Sequence, residues 1–72
     1  MIEIQLGRRI AELRKAKGFT QEALAEKTGY SVEFISLVER GINAPSVAGC
    51  AAVAKALGVT VAELFTFREP RK

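Results

Sequence analysis

Residues 19–46 read FTQEALAEKTGYSVEFISLVERGINAPS, and the caps and glycines in this stretch predict two short helices in succession. Thr20 and Ser31 are residue types that commonly cap a helix N-terminus, and one precedes each helix. Gly29 ends the first helix and Gly41 ends the second. Glycine suits both ends because it accepts the left-handed backbone conformation that often closes a helix.

Side-chain sizes within this stretch fit a helix-turn-helix, in which two helices cross closely at a short turn. The crossing requires a small residue, and Ala25 supplies it on the first helix. The turn requires a residue that tolerates a positive φ angle, and Gly29 meets this requirement. Ile35 and Val38 form a narrow apolar stripe on the second helix, which Leu24 of the first helix can face.

The flanking sequence predicts three further helices around this pair. Apolar residues at helical spacing predict a first helix over about residues 4–17. Another helix is expected over about residues 46–57, where Ser46 is the cap. Thr60 and Glu63 form a capping box for a last helix that ends near Phe65. Since no segment alternates as a strand would, the fold class is all-α.

Length and composition indicate one small folded domain. The chain has 72 residues, so we expect a single domain over 1–72, with a core over about 6–66 and a tail over 67–72. The hydrophobic fraction of 49% argues against disorder. The formal net charge of +3 favours an anionic partner, which could be DNA, RNA or an acidic protein surface.

The residue inventory argues against an enzyme. The chain has no histidine, no aspartate and a single cysteine, so zinc sites, Ser-His-Asp triads and Cys-His pairs are excluded. We expect no metal, cofactor or small-molecule ligand. Cys50 falls at a core position, where it would serve as a small apolar residue. Neither a signal peptide nor a membrane-spanning run is recognisable, which favours a cytoplasmic location.

Residues 19–46 resemble the DNA-binding domain of the lambda-repressor/Cro-like family, also called Xre-like. The motifs TQ-x-x-LA, the turn glycine, IS-x-x-ERG and P-S occur together in the family's register. RRIAELRKAKG is similar to the family's first helix, and VAKALGVTVAELF to the end of its fourth helix and its fifth. Over about residues 6–65, the resemblance implies a compact five-helix domain with the helix-turn-helix at helices 2 and 3. It also implies sequence-specific binding of double-stranded DNA, usually as a dimer, to control transcription.

The third helix would then read bases in the major groove. A spacing of about 100° per residue places Ile35 and Val38 on one side, opposite Arg40 and most of the candidate readers. By the resemblance, the base-reading positions are Val32, Glu33, Ser36 and Leu37. The carboxylate can accept from cytosine, the hydroxyl can donate or accept, and the two apolar side chains can contact thymine methyl groups. Glu33 could equally be a helix-dipole residue, and Leu37 could instead be buried or lie in a dimer contact.

Four residues are candidates for contacts with DNA phosphates. Gln21 matches the family position whose side chain and backbone N–H contact phosphate, and helix N-termini attract anions in general. Thr20 is a further candidate, although its capping role alone would account for it. Arg40 points outward at the end of the third helix. Asn43 follows in the loop, where it could equally be a turn residue with a positive φ angle.

The resemblance further implies an ion pair and a dimer interface. Arg14 of the first helix would pair with Glu39 of the third and tie the two helices together. With Leu64 assigned to the core, Val61, Phe65 and Phe67 remain as candidates for a symmetric contact. The alternative is that all three pack within their own domain.

The sequence thus predicts a small dimeric repressor or controller protein that binds a palindromic or pseudo-palindromic site. It departs from the family at the reading positions, which often carry glutamine, arginine or asparagine, and in the loop, which often carries lysine or arginine. The alternative is therefore a protein-interaction module or antitoxin-like partner that uses the helix-turn-helix only as a scaffold. Control of a restriction-modification system, a prophage or a toxin-antitoxin pair would suit a chain of this size, and the sequence does not choose between them.

Overall fold

The computed structural model describes residues 1–67, which form five helices around one hydrophobic core. The helices are α1 (Ile2–Ala16), α2 (Gln21–Thr28), α3 (Val32–Glu39), α4 (Val47–Leu57) and α5 (Val61–Leu64). Because these residues include no strand, the predicted all-α fold is confirmed. No helix among them has the length and apolar character needed to cross a membrane. Of the predicted tail, residues 68–72 lie outside the described part of the chain.

All four predicted N-caps are formed. The hydroxyl oxygens of Thr20, Ser31, Ser46 and Thr60 each accept a hydrogen bond from the backbone N–H three residues further along. At α5 the Glu63 carboxylate also accepts from the Thr60 backbone N–H at 2.8 Å, which completes the predicted capping box. The hydrogen bonds from Thr60 lower the pKa of Glu63, because they favour the ionised carboxylate.

The first helix begins at Ile2, two residues before the predicted start. Ile4 in this first turn packs on the turn that follows α3. A Cβ atom built on Gly41 would lie 2.7 Å from the Ile4 Cγ1 atom, so the two segments are in close contact. The sequence of α1 alone gave no sign of this contact, which holds the first turn against the rest of the domain.

The core contains the apolar residues that the helical spacing predicted. Leu24 and Ile35 are 0% and 1% exposed, so α2 and α3 face each other as expected. Ala25 and Cys50 are also buried, which confirms the small crossing residue and the apolar role of the cysteine. The largest fully buried side chains are those of Ile10, Leu24, Ile35, Leu57, Leu64, Val38 and Val53.

A glycine in α1 sets the distance between α1 and α3. A Cβ atom on Gly7 would collide with the carbonyl oxygen of Val38 and would lie 2.9 Å from that of Glu39. Since these are backbone atoms, they could move away only if a helix moved. Gly7 therefore permits a close approach that any larger residue would prevent.

Candidate nucleic-acid interface

The α3 helix presents a continuous outer face opposite its buried stripe. Ile35 and Val38 are 1% and 2% exposed. On the outer side, Val32 is 39% exposed, and Glu33 and Arg40 are also exposed. Two further members of this face, Ser36 and Leu37, are half-buried. The structure thus brings the four predicted base-reading residues together on one side of α3.

This face offers varied but mostly uncharged chemistry. Glu33 is in the first turn of α3, where a carboxylate favours the positive end of the helix dipole. Ser36 is half-buried, so part of its side chain is accessible to an outside group. Leu37 is only half-buried, which leaves part of its side chain available for contact. The face combines a carboxylate, a hydroxyl, two apolar side chains and the Arg40 guanidinium.

The turn between α2 and α3 depends on the backbone of one glycine. Gly29 caps α2 with φ +81°, and its N–H donates to the Ala25 carbonyl. No atom lies within 4 Å of a Cβ built there, so the requirement concerns backbone conformation and not space. The sequence prediction of a positive φ angle at Gly29 is confirmed.

The N-terminus of α2 adjoins α3 and carries two of the predicted phosphate contacts. The Thr20 oxygen accepts from the Ala23 N–H at 3.0 Å, so its own hydroxyl hydrogen remains available to an anion. Gln21 is half-buried, and its Nε2 donates to a Glu39 carboxylate oxygen at 3.0 Å. A phosphate contact by Gln21 would therefore use its backbone N–H or its second amide hydrogen.

The ion pair expected between Arg14 and Glu39 is formed. The Arg14 Nε and Nη2 atoms lie 2.7 and 3.1 Å from the two Glu39 carboxylate oxygens. Arg14 Nη1 also donates to the Phe19 carbonyl at 2.8 Å. Both side chains are largely buried, at 12% and 7% exposed. The hydrogen bond to Glu39 raises the pKa of Arg14, because it favours the charged guanidinium.

Sequence reasoning did not anticipate two members of this network. Gln21 and the Phe19 carbonyl were not expected to contact the ion pair, although both do. The sequence shows which residue types stand at positions 19 and 21 but not that they lie near Glu39. Neither position is three or four residues from Glu39, so helical spacing does not predict the contact. The Gln21 contact makes the network a link between α1, α2 and α3.

The loop after α3 carries the other two predicted phosphate contacts. Arg40 and Asn43 are both exposed there. Within the described residues only glycines have positive φ angles, and in this loop the residue is Gly41. The alternative that Asn43 serves as a positive-φ turn residue is therefore wrong. Its exposed amide stays a candidate for phosphate contact.

The predicted dimer residues divide into two groups. Val61 and Phe65 are 45% and 36% exposed. Phe67 instead is half-buried and packs against the domain's own core, with its ring centroid 6.0 Å from that of Phe65. Because Phe67 is only partly buried, its place in a symmetric contact stays a prediction, as does the alternative that it packs within its own domain.

The described residues show no group of side chains that could hold a metal ion. Cys50 is buried, and burial raises the pKa of its thiol because the thiolate would be poorly solvated. A raised pKa keeps a thiol protonated and unreactive at neutral pH. Both observations agree with a core role for Cys50.

Known proteins that are similar to this chain include helix-turn-helix transcriptional regulators. The helix-turn-helix family HTH_3 matches residues 10–64. A Sinorhizobium fredii protein described as an uncharacterized HTH-type transcriptional regulator is 41% identical over 61 residues, covering 85% of this chain and 79% of its own. The SinR transcriptional regulator of Bacillus licheniformis is 34% identical over 65 residues, covering 89% of this chain and 59% of its own.

Solved structures have the same fold. The restriction-modification controller protein C.AhdI from Aeromonas hydrophila superposes with a TM-score of 0.83 at 37% identity, covering 86% of this chain and 94% of its own. SinR, described as the master regulator for biofilm formation and solved in complex with DNA, gives a TM-score of 0.79 at 35% identity. That match covers 85% of this chain and 98% of the SinR chain.

Proposed function

Because the chain belongs to the helix-turn-helix family HTH_3 and is a DNA-binding transcriptional regulator, we propose that it reads its operator through the outer face of α3. In this arrangement α3 enters the major groove and the N-terminus of α2 lies on the phosphate backbone. The main support for this proposal is that four accessible residues share the outer face of α3, beside the N-terminus of α2. This surface, called the reading face below, consists of Val32, Glu33, Ser36 and Leu37.

Each group on this face has a definite role in the proposal. The Glu33 carboxylate accepts a hydrogen bond from a cytosine amino group, and Ser36 bonds a base edge or a phosphate. Val32 and Leu37 pack on thymine methyl groups. Phosphate contacts come from Thr20, Gln21, Arg40 and Asn43. The Gln21 side chain contacts Glu39 at the C-terminal end of α3, where Arg40 and the loop with Asn43 follow. The phosphate contacts hold α3 in register on the duplex.

The proposed active form is a homodimer on a palindromic or pseudo-palindromic site. Two copies would place their α3 helices roughly 34 Å apart, one helical turn of DNA. Val61 and Phe65 remain candidates for the contact between copies, because both are exposed. A domain that occupies DNA in this way acts most simply as a repressor, by covering a promoter.

Selection of binding sites from random duplex DNA tests the proposal. We expect a preferred sequence with two related half-sites, and an affinity that falls as salt rises, because phosphate contacts release counterions. The reading face has few positively charged side chains. This favours one competing function, a protein-interaction module that binds its partner through Val32, Leu37 and Ile42. An absence of any preferred duplex, with binding to a protein that is insensitive to salt, would support that alternative.

A further inference from the structure

The residues on either side of the Thr20 cap are both held by the ion pair of Arg14 and Glu39. The Phe19 carbonyl accepts a hydrogen bond from Arg14 Nη1 at 2.8 Å. The Gln21 side-chain amide donates to Glu39 Oε1 at 3.0 Å. Because Glu39 is the last residue of α3, the pair holds the N-terminus of α2 against the end of α3 from both sides of the cap.

The chemistry of Glu39 decides which end of the Gln21 amide it holds. An ionised carboxylate only accepts hydrogen bonds, so it binds the amide by its nitrogen and not by its oxygen. A DNA phosphate is also an acceptor and requires the same nitrogen. This nitrogen carries two hydrogens, of which Glu39 accepts one. The second hydrogen can therefore bind a phosphate without any rotation of the side chain.

Arg14 controls the charge beside this amide. It donates two hydrogen bonds to the Glu39 carboxylate, so the guanidinium offsets the negative charge. A carboxylate without this partner, one hydrogen bond from the amide, would repel a phosphate bound there. The Arg14 and Glu39 side chains are only 12% and 7% exposed, whereas Gln21 is half-buried. Gln21 is thus the more accessible member of the network.

We propose that Arg14 and Glu39 are positioning residues for the DNA phosphate contact of Gln21. Glu39 fixes the amide with its nitrogen toward the carboxylate, and Arg14 keeps that carboxylate neutralised. This inference rests on the DNA binding proposed above and gives a cause for the strength of one contact. A side chain that is already held in its bound conformation loses less entropy when it binds.

Gln21→Ala, measured with and without the ion pair, tests this coupling. The background without the pair is Arg14→Met, Glu39→Ala, which leaves no unpaired charge in place of the pair. In otherwise wild-type protein, Gln21→Ala should lower the affinity for the selected duplex about three- to tenfold. In the background without the pair, the loss should be less than about twofold. Each binding constant is corrected for the folded fraction, which circular dichroism measures.

Asn43→Ala is the matched control, because it removes another amide proposed to contact phosphate. Asn43 is exposed in the loop after α3, and the Glu39 carboxylate is bonded to Arg14 and Gln21 instead. The effect of Asn43→Ala on DNA affinity should therefore be the same with and without the ion pair, within about twofold.

The order of the Gln21 side chain gives a second measurement, which requires no DNA. Gln5 is the other glutamine of the chain and is exposed, so it serves as an internal reference. NMR relaxation of the side-chain amide groups should give a higher order parameter for Gln21 than for Gln5. In the background without the pair, the Gln21 value should fall to that of Gln5. Equal order in the wild-type protein would overturn the positioning role.

The outcomes separate this inference from the proposed function. If a duplex is selected but Gln21→Ala lowers the affinity equally in both backgrounds, the positioning role is wrong and DNA binding stands. If the wild-type protein binds no duplex, the proposed function fails and the positioning role fails with it. An ordered Gln21 side chain would then show a network that serves stability alone.

Discussion

Glu39 connects three helices through its side chain. Its carboxylate accepts two hydrogen bonds from Arg14 and one from Gln21, so one side chain of α3 holds α1 and α2. Such a pair is costly to break from one side, because the remaining partner stays buried without a counter-charge. Gln21 also begins the helix that we place on the phosphate backbone, so the network connects stability with the candidate interface.

We expect Glu39→Ala to lower the free energy of unfolding by about 2–4 kcal/mol, since it leaves Arg14 charged and largely buried. Thermal or urea unfolding measures the loss. The preferred DNA sequence should remain the same, because Glu39 is not on the reading face. A variant that unfolds as wild type does would contradict this role.

The double variant Arg14→Met, Glu39→Ala controls for this effect. It removes both charges and restores apolar volume near α1, so we expect it to be more stable than Glu39→Ala alone. If the double variant were instead less stable than Glu39→Ala, the unpaired arginine would not be the cause of the loss.

Glu33 and Glu22 form a natural pair for testing base recognition. Each is the second residue of its helix and is exposed, but only Glu33 is on the reading face. We expect Glu33→Ala to relax sequence preference at one base pair by about 1–3 kcal/mol. Glu22→Ala should lose a similar favourable interaction with the helix dipole, but it should keep the DNA sequence preference of the wild-type protein. Repeating the site selection with both variants measures the difference, and identical preferences in both would make Glu33 a helix-dipole residue only.

At the scale of elements, the approach of α1 to α3 sets the most specific requirement. In an open helix position Gly→Ala stabilises by roughly 1 kcal/mol. At Gly7 the new methyl group would collide with the Val38 carbonyl oxygen, so the substitution should destabilise the domain instead of stabilising it. We expect Gly7→Ala to destabilise the domain by about 1–3 kcal/mol in urea unfolding. The exposed neighbour Arg8, changed to Ala, should have little effect, and a stabilising Gly7→Ala would mean that the helices can separate without cost.

The helices themselves were predictable to within a few residues, because their ends are local. A cap such as Thr20 or Ser31 acts on an N–H three residues away, so the sequence window contains both partners. The contact between Ile4 and Gly41 was not predictable, because the two residues are far apart in the sequence. The partial burial of Phe67 against the core was likewise not predictable from its local sequence.

For the whole molecule, the sparse positive charge around α3 predicts a weak salt dependence. Among the predicted phosphate contacts, Arg40 is the single cationic side chain, so a dimer would neutralise few phosphates. We expect the logarithm of the DNA-binding constant to fall with the logarithm of salt concentration with a slope of about −2 to −4. Arg40→Ala should make this slope less negative by about 1 for each copy. A slope steeper than about −6 would show that cations elsewhere in the chain carry the phosphate contacts.

The sequence by itself determined the five helices, the helix-turn-helix and the set of residues on the outer face of α3. It could do so because capping, glycine conformation and helical spacing act over three or four residues. Only the tertiary structure decided that Gln21 joins the Arg14–Glu39 pair, that Phe67 packs partly against the core, and that α1, α4 and α5 line a groove. These features bring together residues that are far apart in the chain, and their side chains meet only when the core is packed.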